Sequence, residues 1–186
     1  VGGLGVSDIL TGKENPSGKL TDTIASSIKD YPSSSNFGSL KDNVYAEDIY
    51  VGYRYFESAS KDKVLYPFGY GLSYTNFKVT AGDFEFDNGG NLPSVKFDVT
   101  VKNTGSCSGK EVIQIYVKQP QGKLGKPALV LADFKKTALL KKGKKAKQGT
   151  SPWREQSLPR TFLPFAFLPF YLFVILLVLC WCCSCI

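Results

Sequence analysis

The stretch VKFDVTVK, residues 95–102, alternates apolar side chains with charged or polar ones. A period of two is typical of an antiparallel strand that has one face in a core and the other in water. A turn signal, NTG at 103–105, follows directly, and a second apolar run, VIQIYV, occupies 112–117. The pattern therefore predicts antiparallel β-structure in which 95–102 is a half-buried strand.

Further strand signals flank this stretch. Phe84 and Phe86 alternate with acidic residues, NGGN at 88–91 is a turn signal, and 128–140 contains at least one more strand. Short strands separated by Gly/Asn turns favour a β-sandwich of the immunoglobulin or fibronectin type III kind. About four strands are visible, whereas such a sandwich has about seven. We therefore expect an incomplete sandwich.

The first part of the chain has another pattern. Residues 1–12, VGGLGVSDILTG, have apolar side chains at helical spacing, with Gly12 as a C-terminal stop. NPSGKL at 15–20 is a turn with two helix breakers. IYVGYRYF at 49–56 is rich in β-branched and aromatic residues, which predicts an extended segment. PFGYGLSY at 67–74 interleaves glycines with aromatic residues.

The net charge of +7 comes from one segment. Residues 1–117 carry 11 basic and 14 acidic groups, whereas residues 118–147 carry ten lysines and only Asp133 as an acid. Lysine runs without interleaved arginine or aromatic residues are more typical of solvated surfaces than of nucleic-acid sites. We predict an exposed turn around Gly143 and no nucleic-acid partner. Binding of acidic polysaccharide by the lysines is a weaker alternative.

Composition excludes several chemistries. The chain has no histidine, which removes Ser-His-Asp and Cys-His nucleophile activation and histidine-containing zinc sites. Cys107 is the single cysteine before the last seven residues, so no disulfide framework is expected in the folded part. The residues themselves predict no catalytic, cofactor-binding or metal-binding site and no cofactor.

The C-terminal segment changes character. Residues 170–183 are unbroken apolar or aromatic sequence, and the whole of 161–186 contains no charge, a stretch long enough to span a bilayer in principle. Pro164 and Pro169 interrupt its first half. Two interpretations stay open: a membrane anchor through 162–186, or a read-through or frameshifted tail beside an incomplete sandwich.

Segments in a fixed order resemble glycoside hydrolase family 3, whose β-glucosidases show an NPSGKL-type turn, an aromatic GYRY segment and an FGYGLSYT segment before a fibronectin type III-like domain. The segments of this chain that carry the resemblance are ILTGKENPSGKLTDT at 9–23, VYAEDIYVGYRYFE at 44–57, PFGYGLSYTNF at 67–77, VKNTGSCSGKEVIQIYVKQP at 101–120 and LVLADFKKTALLKKG at 129–143. The resemblance covers residues 1 to about 147 in continuous order.

The resemblance implies an enzyme with a (β/α)₈ barrel, an α/β sandwich and a fibronectin-like domain. The family is retaining, with a barrel aspartate as nucleophile and a glutamate of the α/β sandwich as acid/base. Such a double displacement requires two carboxyl groups about 5–5.5 Å apart. Both family positions precede residue 1, so no catalytic residue is carried over. The absence of an initiating methionine likewise indicates a piece of a longer protein.

The predicted fold class is an α+β fragment with a hydrophobic tail. Residues 1–66 are the end of the α/β sandwich domain, and 67–76 are the interdomain connection. Residues 77–147 are a partial fibronectin type III-like sandwich, and 148–186 are the tail. A truncated sandwich exposes inward faces, so we expect low cooperativity of unfolding.

Two groups of acidic residues are candidates for catalysis in this chain. Glu47 and Asp48 precede the aromatic segment, and acids there more often cap or solvate. Asp83, Glu85 and Asp87 alternate on one strand face, which is typical of a solubilising outer face. The solvating interpretation is favoured for both groups.

The aromatic residues of the connection have two interpretations. Phe68, Tyr70 and Tyr74 pin the interdomain connection or form a platform for a sugar ring, and packing is favoured. For Tyr53 and Tyr55 the two interpretations are more evenly matched. Arg54 between them forms an ion pair or stacks on the rings.

The resulting hypothesis is the C-terminal portion of a retaining, exo-acting enzyme resembling β-glucosidases or β-xylosidases, inactive alone. The intact enzyme then hydrolyses a β-linked oligosaccharide or aryl glycoside and is secreted or cytoplasmic. The alternative is a non-enzymatic, membrane-anchored fibronectin-like accessory or adhesion module. It places the chain at a membrane through 162–186.

Overall fold

The computed structural model describes residues 2–87, 94–118, 123, 125–150 and 153–154. These residues are mostly β-sheet with few helices, as expected for the two domain types that the sequence indicates. The segment 162–186, to which the membrane prediction applies, lies outside the described residues. Among the helices that the structure describes, none has the length and apolar character required to cross a bilayer.

The first part contains short elements joined by loops. Helix α1 spans Gly2–Leu10, strand β1 Ile24–Ala25, helix α2 Tyr53–Ala59 and strand β2 Val64–Tyr66. Short 3₁₀ turns span Ile28–Asp30, Pro32–Ser35 and Lys61–Lys63. Strands β1 and β2 pair antiparallel.

The predicted helix at 1–12 is confirmed. Gly12 lies just beyond α1 with φ +74°, a left-handed conformation that favours glycine and ends a helix. No residue of α1 is buried, and Leu4 and Leu10 are 73% and 76% exposed.

The extended conformation predicted for 49–56 is wrong, because Tyr53–Ala59 form helix α2. Gly52, with φ +57° and ψ −127°, turns the chain at the helix start, and the β-branched residues Ile49 and Val51 lie before it. Tertiary packing then favours the helix: Phe56 is 1% exposed, and its ring makes an edge contact with Tyr31 at 5.5 Å. Composition alone predicts the wrong structure here because the intrinsic preferences of residues for helix or strand are weak compared with such packing.

Six strands follow in the described residues, more than the four visible in the sequence. They are β3 (Phe77–Asp87), β4 (Ser94–Asn103), β5 (Val112–Lys118), β6 (Leu129–Lys136), β7 (Lys145–Gly149) and β8 (Trp153–Arg154). One sheet has the order β3-β4-β7, with β8 also on β4, and the other pairs β5 with β6. All of these pairings are antiparallel. Strand β7 ends at Gly149, past the predicted domain bound of 147.

The alternation predicted for 95–102 is confirmed. Val95, Phe97, Val99 and Val101 are buried, and the residues between them face outward. Their inward side chains meet residues of the second sheet in one core, whose buried members are Phe77, Val95, Phe97, Val99, Val101, Ile113, Ile115 and Leu140. The core therefore lies between the two sheets, in the second part of the chain.

Strand β3 is irregular near its end. Its register against β4 shifts between Ala81 and Phe84, which marks a β-bulge. Asp83 and Glu85 are exposed there, but so are Phe84 and Phe86, which are 38% and 59% exposed. The period of two at 83–86 thus does not separate a buried face from a solvated one.

Candidate functional site

The contact between residues 2–76 and the sandwich, which we call the junction, concentrates polar and aromatic contacts. Asn15, in the turn after α1, is its hub. Its amide nitrogen donates to the carbonyl of Ser108 at 2.9 Å. Its oxygen accepts from the Ser73 hydroxyl at 3.0 Å and from the backbone N–H of Tyr74 at 2.9 Å. One side chain thereby joins the turn, the connection at 67–76 and the sandwich.

A shielded ion pair lies beside this hub. The Lys19 ammonium lies 2.9 Å from a carboxylate oxygen of Glu111, and the two side chains are only 16% and 9% exposed. The same oxygen of Glu111 accepts from the N–H of Val112 at 2.8 Å. Low exposure strengthens the pair and raises the cost of removing either partner.

The connection packs closely against both sides, which explains two of its glycines. Leu20 N–H donates to the Tyr70 carbonyl at 2.7 Å, and Gly69 N–H donates back to the Leu20 carbonyl at 2.8 Å. A side chain at Gly71 would collide with the carbonyl of Gly18, and one at Gly69 with the amide of Gln114. Gly69 also has φ +80°. These positions need glycine for close approach and for backbone conformation.

Helix α2 docks on the β5–β6 sheet. The Tyr53 hydroxyl accepts from the N–H of Leu131 at 2.9 Å, and the Ser58 hydroxyl accepts from the N–H of Ala128 at 2.9 Å. The Tyr53 ring lies 4.7 Å from Phe68 and 6.1 Å from Tyr116, measured between centroids. The helix is therefore held on the sandwich by hydrogen bonds from backbone N–H groups and by contacts between aromatic rings.

Arg54 has the stacking geometry rather than the ion pair. Its guanidinium carbon lies 6.0 Å from the centroid of the Tyr53 ring, at the outer limit of a cation–π contact. The ion pairs found among the described residues do not include it.

Tyr116 is the junction residue with the most altered ionisation. It is 3% exposed, and its hydroxyl donates to the side-chain oxygen of Gln114. Burial, followed by the proximity of Tyr53 and Glu57, raises the pKa of the Tyr116 phenol well above its ordinary value. The phenol therefore remains neutral far into the alkaline range and acts as a hydrogen-bond donor.

A buried polar network holds the end of the connection. Asn103 is 0% exposed, and its oxygen accepts from the Thr75 hydroxyl at 2.8 Å. Its nitrogen donates to the carbonyls of Leu140 at 2.8 Å and Cys107 at 2.7 Å. Because each polar atom is satisfied, this network stabilises one arrangement of the loops around it.

The three aromatic residues singled out in the connection all make contacts here. Phe68 packs on Tyr53, and the Tyr70 ring lies 5.1 Å from Tyr66. The Tyr74 hydroxyl donates to the carbonyl of Ile9 at 2.8 Å, which ties it to the end of α1.

Of the carboxylates considered as catalytic groups, Asp48, Asp83 and Glu85 are exposed, and Glu47 is partly buried. Glu47 accepts from the Ser33 hydroxyl at 3.1 Å, and Asp48 is exposed with φ +47°. Glu111 is the only buried carboxylate in the described part of the chain, and Lys19 neutralises it. A general acid for glycoside cleavage requires a protonated carboxyl in an apolar pocket, which is the opposite of the Glu111 environment.

A cavity of about 680 Å³ opens beside the hub. It lies between the turn at 12–17 and the loop at 107–110, with Tyr74 and Leu139 on its walls. Cys107 borders it as an exposed free thiol. No group of His, Cys, Asp or Glu within the described ranges has an arrangement that suits a metal ion.

Sequence reasoning missed the polar residues of the junction. Asn15 and Lys19 belong to the NPSGKL turn, but their partners Ser108 and Glu111 are over 90 residues away. Since no local period links such positions, only a related structure or an alignment can reveal these pairs.

Comparison with known proteins identifies the domains on either side of the junction. Residues 1–74 match the glycosyl hydrolase family 3 C-terminal domain, and residues 111–149 match a fibronectin type III-like domain. The chain belongs to glycoside hydrolase family 3.

Relatives give the same assignment. A β-glucosidase of Ruminococcus albus is 51% identical over 75% of this chain and 14% of its own length. β-Glucosidase A of Butyrivibrio fibrisolvens is 51% identical over 76% of this chain and 19% of its own length. The chain thus spans less than a fifth of the length of these relatives.

Solved structures share the fold. A β-glucosidase from Paenibacillus barengoltzii superposes with a TM-score of 0.77 at 54% identity, over 81% of this chain and 16% of that one. β-Glucosidase 3B from Thermotoga neapolitana in complex with α-D-glucose gives a TM-score of 0.68 at 43% identity, over 79% of this chain and 21% of that one. The predicted family is confirmed.

Proposed function

We propose that this chain is a C-terminal portion of a retaining, exo-acting β-glucosidase and has no hydrolytic activity alone. Its role is to hold the fibronectin-like domain in one orientation on the domain that precedes it. The observation that carries this proposal is the junction itself, where Asn15 and the Lys19–Glu111 pair join segments over 90 residues apart.

The inactivity follows from the carboxylates. Retaining cleavage requires a nucleophilic carboxylate and a second carboxyl that donates a proton, placed on opposite sides of the bond. Glu111 is buried but paired with Lys19, and Asp98 and Glu57 pair with Lys147 and Lys61 at the surface. Each of these carboxylates is engaged by a cation, which suits a structural role and not the paired roles of nucleophile and acid.

The substrate of the intact enzyme follows from its relatives. They are named β-glucosidases, and the Thermotoga neapolitana structure holds glucose. We infer that the intact enzyme removes terminal β-linked glucose from an oligosaccharide or aryl glycoside. The aromatic residues at 53–74 support the scaffold and are not required to touch the sugar.

A domain exchange tests both parts of the proposal. Residues 1–149 of this chain replace the matching segment of the Ruminococcus albus β-glucosidase, and hydrolysis of an aryl β-glucoside is measured for the chimera and for the present chain. We expect clear turnover by the chimera, because its carboxylates come from the host enzyme, and none by the chain. Turnover by the chain alone, or a folded but inactive chimera, would contradict the proposal.

A further inference from the structure

The outward face of the β3-β4-β7 sheet carries an unusual row of lysines. In the register of the sheet, Lys78 of β3 lies opposite Lys102 of β4, and Lys102 lies opposite Lys145 of β7. The neighbouring core residues Val79 and Val101 point inward, so the three lysines share the outward face. Adjacent strands lie about 4.8 Å apart, so the backbone positions of the three lysines are direct neighbours across the sheet. We call this set the lysine row.

The surroundings of the row increase its positive charge. Two residues further along the strands, on the same face, Thr80 lies opposite Thr100, and Thr100 lies opposite Lys147. Lys147 binds Asp98 at 2.7 Å, so this acidic group of the same face is already paired. The exposed lysines of the turn before β7 lie at the other side of the row; they are Lys141, Lys142 and Lys144.

This arrangement costs stability unless an anion is present. Like charges directly opposite one another on neighbouring strands are destabilising. Over the residues that the structure describes, none of the three row lysines has a carboxylate within ion-pair distance. An anionic partner would relieve this repulsion, whereas water only screens it.

Protection of sheet edges explains only part of the pattern. Lysines on edge strands prevent edge-to-edge aggregation, and this suffices for Lys78 and Lys145. It does not account for Lys102, because β4 is the central strand of the sheet and pairs on both sides. A single lysine is ordinary on the solvated face of a half-buried strand, so the distinguishing feature of Lys102 is its position between two further lysines.

We propose that the lysine row binds a linear acidic polysaccharide of the polyuronate type. An exposed sheet face is open to an extended polymer, and compact ammonium charges pair with single carboxylates without requiring bidentate geometry. The threonine hydroxyls of Thr80 and Thr100 add hydrogen-bonding groups for sugar hydroxyls beside the row. The outward-facing positions of the row and of the adjacent register pairs include neither arginine nor aromatic residues; they are Lys78, Lys102, Lys145, Thr80, Thr100 and Lys147. This disfavours nucleic acid, since such sites use arginine forks and stacking.

The test measures the affinity of the full chain for polygalacturonate at low and moderate salt, with fully methyl-esterified polygalacturonate as the neutral polymer. The triple variant Lys78→Gln, Lys102→Gln and Lys145→Gln removes the row. We expect affinity to fall about tenfold, the combined effect of three exposed ion pairs. Binding of the esterified polymer should be undetectable.

A charge-matched control separates the row from overall charge. Lys29→Gln, Lys41→Gln and Lys63→Gln remove the same charge from exposed lysines of the first part, and we expect less than a twofold loss. Equal losses in both triple variants, or no binding by the unmodified chain, would overturn the proposal. Tighter binding to duplex DNA than to polygalacturonate would overturn it in favour of a nucleic acid.

Thermal unfolding supplies a second readout that does not depend on the affinity assay. Polygalacturonate should raise the Tm of the unmodified chain and leave that of the row variant unchanged. The row variant without polymer should have a Tm at least equal to that of the unmodified chain, because repulsion is removed. A lower Tm would show that the lysines serve stability and would contradict the proposal.

Discussion

Residues 2–76 and the sandwich at 77–150 differ in what they bury. The sandwich encloses a continuous core, with Val101 at 0% and Val99 at 1% exposure. In the first part the buried residues are few, Phe56 being the largest, and α1 buries none. Apolar side chains are instead exposed there; they include Leu4, Val6, Leu10, Phe37, Leu40, Val44, Tyr45, Val51 and Leu65.

This difference shows which part of the chain buries its apolar side chains against its own elements. A domain can bury an apolar side chain only against its own elements or against a neighbour, and nothing in the described part of the chain covers the exposed set of the first part. The matched segment makes up only 14% and 19% of the length of the two relatives, so those proteins contain more chain against which the equivalent surface can pack. The junction supports the first part from the sandwich side, in addition to internal contacts such as the packing of Phe56 against Tyr31.

The largest effect is expected from placing a charge in the core. Val101→Asp buries an unpaired carboxylate between the sheets and should lower the free energy of unfolding by more than about 4 kcal/mol. Urea unfolding followed by circular dichroism measures it.

The matched substitution in the first part of the chain, residues 2–76, is Leu4→Asp. Leu4 is 73% exposed on α1, so the same chemical change should alter stability by no more than about 0.5 kcal/mol. Similar losses in the two variants would mean that the contrast between the two regions does not hold.

An intermediate effect is expected at the junction. Lys19→Met leaves Glu111 shielded without its cation and should lower the local opening free energy by about 2 kcal/mol. The Leu20 amide, which donates to Tyr70, should then exchange its hydrogen about 30-fold faster. Amides of β4 should keep their protection, because the core is untouched.

Lys13→Met is the control for that experiment. Its ion pair with Asp8 is exposed, at 71% and 34% for the two side chains, and is expected to change the same exchange rate less than threefold. If both lysine variants opened the junction equally, the shielding of the Lys19–Glu111 pair would have no role.

The smallest effect concerns alkaline pH. Because burial raises the pKa of Tyr116 in the folded chain, the unfolded state loses the phenolic proton first, near its ordinary pKa of about 10. The stabilising effect of the neutral phenol is therefore complete below that pH and is lost as pH rises above it. Tyr116→Phe should reduce the loss of stability between pH 9 and 11 by about 1 kcal/mol.

Unfolding at several pH values checks this prediction. Tyr45→Phe, at a position 89% exposed, should reproduce the pH slope of the unmodified chain. An unchanged slope for Tyr116→Phe would show that the buried phenol does not control alkaline stability.

The sequence predicted the elements whose signal is local. The alternation at 95–102 and the helix ending at Gly12 both depend on neighbouring residues, and both are confirmed. The segment at 49–56 was mispredicted, since the choice of helix there depends on Phe56 packing against Tyr31 from another segment. The family was also recognisable from its motifs in order.

Only the tertiary structure decided the contacts between distant segments. It paired Lys19 with Glu111, placed Asn15 against Ser108 and aligned Lys78, Lys102 and Lys145 in one row. The physical reason is that periodicity fixes which face of an element is buried, whereas register and docking fix which residues meet across elements. Those choices depend on the free energy of the assembled core, which no single stretch of residues contains.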